Sequence, residues 1–166
     1  MLRDMALDSR PRRVTEINRW RGRAMLVEAM TLLTATSAAQ RWVPMARWSR
    51  VLGTARAVPS EWNDKPIDQL TTEAASLAEY RVVIAITRGA HLLPWKPSCL
   101  AEAAAGQVML ARRGEPGVVV VGLRPTPEGV WAAHAWLLGR VGALTGGPAA
   151  AGFSATTVFA RANSPQ

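Results

Sequence analysis

The sequence predicts an α+β fold, with helices first and antiparallel strands after. Two patterns predict it. Up to about Arg113, apolar residues recur at three- and four-residue spacings; beyond Glu115 they fall into short valine-rich runs broken by Gly and Pro. Length is the third observation: 166 residues, 49% of them hydrophobic, suit one ordinary domain with a real core rather than a disordered tail.

Residues 1–13 are charged and proline-broken and read as a loose basic arm. Val14 to Arg41 reads as one long helix or two joined ones, with Met25, Leu26, Ala29, Leu32 and Leu33 forming an apolar stripe. Pro44 interrupts this pattern, and Met45 to Leu52 makes a short helix that Gly53 stops. Ala57 to Pro66, rich in Pro, Ser, Asn and Asp, is the clearest loop. It divides a helical N-terminal region, 14–65, from the chemical half, 66–166. Ile67 to Ala90 reads as a helix whose apolar face holds Leu70, Ala74, Leu77, Tyr80, Val83 or Ile84, and Ile86. Gly89 and Pro94 close it. After the connector Trp95-Lys96-Pro97-Ser98, an alanine-rich helix runs from Cys99 to Arg113 and ends at Gly114. Ser98 is its natural N-cap, and Glu102 lies in its first turn, where negative charge suits the dipole. Gly117 to Leu123 is a buried strand and Arg124 to Gly129 a turn. Val130 to Leu138 is a second strand, placing Ala132, His134, Trp136 and Leu138 on one face. Val141 to Thr145 is the third.

Composition narrows the function classes. The net charge of +8 is almost wholly arginine, since Lys65 and Lys96 are the only lysines. Solvated basic faces account for this; nucleic acid, an anionic membrane and an acidic peptide or protein are the partner classes it would suit. No zinc-finger spacing or RNP motif accompanies the arginines, so no nucleic acid is expected. Ala24 to Ala39 imitates a signal-peptide core, yet it contains Glu28, starts far from Met1 and is shorter than the ~20 residues of a span. An amphipathic helix accounts for it, and peripheral membrane contact stays open. One cysteine excludes internal disulfides and cysteine-rich zinc sites and fits a reducing, cytoplasmic compartment. Two separated histidines give no compact ligand set, so no metal or other cofactor is expected.

The chemistry-bearing residues are Cys99 and His134. A helix start leaves backbone N–H groups unpaired and carries partial positive charge, both of which favour a thiolate. An imidazole within reach would take the proton. Taken alone, a cysteine in an alanine-rich helix is usually a small buried hydrophobe and a strand histidine a structural one. His91, near a helix end, suits a capping role.

The wider pattern adds weight. A nucleophile at a helix start before a strand histidine is the chain order of papain-like and transglutaminase-like enzymes. Leu93-Pro94-Trp95-Lys96-Pro97-Ser98-Cys99-Leu100, the helix end Ala111-Arg112-Arg113-Gly114, the strand Val118 to Gly122 and Ala133-His134-Ala135-Trp136 follow in order. Thr145-Gly146-Gly147-Pro148 and Gly152-Phe153 come after them. Upstream stand Arg23 to Ala29 and Met45 to Gly53. Together, over most of residues 20–155, these resemble lasso-peptide biosynthesis B proteins, transglutaminase-like cysteine proteases that remove the leader from a ribosomally made precursor.

That resemblance implies a transglutaminase/papain-like core, a Cys-bearing helix packed on a small antiparallel sheet, with an N-terminal helical extension. It implies Cys99 as nucleophile and His134 as base; Trp95 and Trp136, which flank them in sequence, are candidates to line the substrate cleft, with buried aromatic packing the expected role of at least one. The partners it implies are the precursor's leader, a separate leader-recognition protein, because no strand-rich recognition domain is expected in this chain, and an asparagine-synthetase-like lasso cyclase. One departure stands out. The family's triad often ends in an Asp about a dozen residues after the His, whereas here Leu144-Thr145-Gly146-Gly147 occupies that stretch and no acidic residue follows His134. A backbone carbonyl, the Thr145 hydroxyl, Asn163, Glu102 or Glu128 is left to orient the ring. Two other readings stand beside the peptidase: a non-catalytic adaptor of the same fold that presents precursor to the cyclase, and a basic nucleic-acid-binding protein.

Overall fold

A computed structural model describes residues 10–59, 62 and 76–161, with side chains from Trp20 onward except Met45. The first element, α1, is one unbroken helix, Arg10–Trp42, which begins inside the stretch that reads as an arm. Pro11 is tolerated there because the first turn has no internal N–H bonds to lose. Ala29 and Leu33 from the expected stripe are fully buried, and Met25 and Leu32 pack against them. Helix α2, Met45–Trp48, passes into a 3-10 turn, Ser49–Leu52. Gly53 ends that turn at φ 106° and leads into a short strand, β1, Thr54–Arg56.

Helix α3, Leu77–Leu92, begins at Ser76; the expected start at Ile67, with Leu70 and Ala74, lies outside the described residues. Its entry is a capping box. The Ser76 hydroxyl accepts from the Glu79 N–H, and the Glu79 carboxylate accepts from the Ser76 N–H, each at 3.0 Å. The other Glu79 oxygen accepts from the Arg140 N–H at 2.6 Å, so this fully buried carboxylate ties α3 to a strand end. Turning Glu79 inward sets the phase of the helix: Val82, Ala85, Ile86 and Gly89 follow it into the core. Leu77 and Tyr80, expected on the apolar face, are instead exposed.

Helix α4, Cys99–Ala111, is buried on nearly every side, and its small residues permit that. A Cβ on Gly106 would sit 2.7 Å from the Leu137 side chain. Around α4 pack α1, α3 and a five-stranded antiparallel sheet of order β1-β5-β2-β3-β4. Its longer strands are β2, Val118–Pro125, and β3, Trp131–Gly139; β4 is Gly142–Thr145 and β5 Ser154–Ala160. The first three of these match expectation, whereas β1 and β5 are strands that the sequence reading does not contain. Gln107, buried in α4, donates to the carbonyls of Gly117 (3.2 Å) and Phe159 (3.0 Å) and pins the helix to the sheet.

The sheet has two distinct faces. Val119, Leu137 and Phe159 pack with the helices, against Ala29, Leu33, Ile86 and Leu110. Val118, Val120, Trp136, Leu138 and Val158 form a second core on the far side, where Ala150, Phe153 and Trp62 cover them. Among the described residues no helix is long and apolar enough to cross a membrane.

Candidate active site

Cys99 is the first residue of α4 and is half-buried. Ser98 caps the helix: its hydroxyl accepts from the Ala101 N–H at 3.1 Å and donates to the Gln40 side-chain oxygen of α1 at 2.7 Å. Both capacities of that hydroxyl are thus used, and the turn that carries the sulfur is fixed to α1. Trp95, 43% exposed in the connector just before it, is free to line a cleft.

His134 lies in β3 opposite Gly122 of β2. Its ring lies on the far face of the sheet with Trp136 (centroids 6.0 Å apart, 24° between planes) and Phe153 (5.3 Å). Arg124 stacks over the Phe153 ring, 4.6 Å from its centroid. Trp136 itself is 1% exposed, so it takes the buried packing role expected of one of the two tryptophans and does not line a cleft, which corrects its place among the cleft candidates. Gly122 makes the space: a Cβ there would come within 2.8 Å of the indole.

α4 packs on the opposite, Leu137 face of β3. Its first turn therefore does not lie across the face that carries the imidazole, as the simplest packing picture would have it. β4 pairs only with Leu137 to Gly139, so at His134 it leaves that edge of β3 unpaired. Among the described residues no hydrogen bond joins Cys99 and His134; Glu102 stands one turn along α4 from Cys99. Burial, the largest influence, pushes the Glu102 carboxyl above the ordinary value of 4.5, while positive charge at Lys96, His91 and His134 pulls the other way.

The remaining candidates for the orienting role separate cleanly. The His134 Nε2 faces the carbonyl oxygen of Gly146 at 2.8 Å, twelve residues on. A carbonyl only accepts, so Nε2 carries the proton and Nδ1 is left as the basic nitrogen. Gly146 presents this oxygen from a left-handed conformation, φ 70°, in which a Cβ would lie 2.7 Å from the Ala135 oxygen and 3.2 Å from Nε2. Thr145 is not the partner: its hydroxyl is buried without a hydrogen bond among the described residues, and the residue pairs with Leu137. Glu128 sits fully exposed in the β2–β3 turn, where the Thr126 hydroxyl draws its carboxyl below the usual range. Glu102 couples to the ring through charge alone. Asn163 lies outside the described residues. His91 donates Nδ1–H to the Thr87 carbonyl at 2.7 Å within its own helix.

Gly146 and Phe153 are the site residues that reasoning from residue type does not single out, since one acts through its peptide and the other through ring packing. Both fall in the short Gly-rich segments that the family resemblance brings into view. No group of three or more His, Cys, Asp or Glu side chains able to hold a metal occurs among the described residues.

Comparison with known families agrees with this architecture. The sequence model of a family described as the transglutaminase-like superfamily matches residues 33–157, from the middle of α1 to the middle of β5. Neither a curated protein nor a solved structure matches the chain.

Proposed function

The chain belongs to the transglutaminase-like superfamily, and from that premise we propose that it is a cysteine peptidase that cuts the leader from a ribosomally made lasso-peptide precursor. Cysteine-based hydrolysis or acyl transfer is the chemistry typical of this fold, and the narrower reading draws on the ordered motifs around Cys99 and His134. The observation that carries it is Cys99 at the capped N-terminus of α4, together with a strand imidazole whose Nε2 is held by a carbonyl so that Nδ1 is its free nitrogen.

In this mechanism the Cys99 thiol gives its proton to His134 Nδ1, and sulfur attacks the scissile carbonyl at the leader–core junction. The Cys99 N–H at the helix start donates to the tetrahedral oxyanion, a type of contact worth about 2.7–4 kcal/mol where it has been measured. The C–N bond breaks, the imidazolium protonates the departing amine of the core peptide, and the leader remains as a thioester. Water, deprotonated by the same imidazole, releases the leader as a carboxylate and restores the thiol. A separate recognition protein delivers the precursor, and an asparagine-synthetase-like cyclase takes the product; the setting is cytoplasmic.

Cys99→Ala should fold as the parent does and leave the precursor intact by mass spectrometry when incubated with the recognition protein, under conditions where the parent chain cleaves it. Cleavage by the variant overturns the mechanism. A second reading, the non-catalytic adaptor, draws on two observations: the peptide carbonyl where an acidic residue is usual, and no Cys99–His134 hydrogen bond among the described residues. Iodoacetamide separates the two, because it would stop a peptidase and leave an adaptor's precursor binding unchanged.

A further inference from the structure

The feature that this chemistry leaves unexplained is a cationic cavity between α1 and α3. It has a volume of about 370 Å³, with Met25, Leu26, Ile84 and Ala85 along its apolar floor and Arg21, Arg23, Arg81 and Arg88 around it. The four arginines are all exposed, and no described carboxylate pairs with any of them. The neighbouring arginines just past the end of α4 behave differently: Arg112 and Arg113 are paired with Glu28, at 3.2 and 2.6 Å. Among the described residues, charge around this cavity is therefore uncompensated where charge nearby is compensated.

We infer that this cavity is a docking site for an acidic peptide segment that carries an apolar side chain, and, resting on the function proposed above, that the segment belongs to the leader of the precursor. Three considerations select that occupant. Guanidinium groups pair with carboxylates through two parallel hydrogen bonds, so four of them around one cavity suit a run of Asp or Glu. The apolar floor accepts a Leu- or Ile-sized side chain, whereas a single-stranded nucleic acid would call for aromatic platforms, and none lines the cavity. The concavity admits an inserted side chain, whereas a flat lipid surface would rest on the arginines without reaching the floor.

Distance sets the register. The Ser98–Gln40 hydrogen bond fixes the first turn of α4 level with Gln40 of α1. The cavity lies at Arg21 to Leu26 of the same helix, about 21–29 Å away at 1.5 Å per residue. An extended chain spans that gap with about six to nine residues. Acidic residues six or more positions before the cut are the ones this cavity would hold.

The test uses the full chain and a fluorescein-labelled peptide bearing glutamates on both sides of one leucine, with no cleavable junction, followed by fluorescence anisotropy. Binding should weaken as salt rises and fall at least tenfold in R81E/R88E, while the lysine counterpart of the peptide should not bind. If R81E/R88E loses its helical circular dichroism, R21E/R23E serves the same purpose from the other wall. Unchanged affinity in a folded charge-reversed variant overturns the assignment. So does capture by phosphatidylserine vesicles or an oligothymidine strand in preference to the peptide. Peptide binding without any precursor cleavage would retain the cavity as an acidic-peptide site and remove the peptidase, so the two proposals fail separately.

Discussion

His134 donates its Nε2 proton to a peptide carbonyl rather than to a carboxylate, and the difference is one of charge. A carbonyl dipole fixes tautomer and ring angle, but it gives an imidazolium less stabilisation than a full negative charge does. Cysteine chemistry tolerates this better than serine chemistry because a thiol ionises more readily. Gly146 is the position on which the arrangement depends. Gly146→Ala places a side chain in the left-handed region and against the Ala135 oxygen, so it should lose about 1–3 kcal/mol in urea unfolding and slow precursor cleavage beyond that loss. Glu102 gives a second prediction. Its folded pKa is raised, so the folded state favours the protonated carboxyl; that contribution is full below about 4.5 and is lost as pH rises through the folded value. Glu102→Gln should therefore be more stable than the parent at neutral pH, and the gap should close towards pH 4 in a series of urea midpoints. At this scale residue chemistry singled out Cys99 and His134 as candidates. It could not reveal Gly146, because a carbonyl has no residue type.

The elements were legible where local signals were strong. Ser98 before an alanine run predicted the start of α4 to the residue, because an N-cap states its position in its own side chain. Ser98→Ala removes that cap and the bond to Gln40 together. It should cost about 1 kcal/mol or somewhat more in thermal unfolding and increase alkylation of Cys99 by loosening its turn. Strand β5 was not legible for the opposite reason. Ser154-Ala155-Thr156-Thr157 has no strong apolar signal, and the strand is held by pairing with β1 on one side and β2 on the other. Pairing partners distant in sequence leave no trace in local periodicity. The phase of α3 went astray because a buried, fully bonded Glu79 occupies a place where periodicity looks for an apolar residue.

At the scale of the whole molecule the α+β class follows from the order of patterns, whereas the two-faced sheet does not. Alternation along β3 put His134 and Trp136 on one face, but only the packing reveals that the helices cover the other. The long helix α1 is part of that packing: Ala29 and Leu33 share one core with Leu52, Ile86, Val119 and Leu137. Residues 66–166 expressed alone should therefore show no cooperative thermal transition by circular dichroism, where the full chain shows a single one. The loop near residue 60 divides the sequence in composition without dividing the core. Anyone seeking a minimal working version cannot cut there. Residues from about Met25 onward must travel with the sulfur, since without them the floor beneath it is missing.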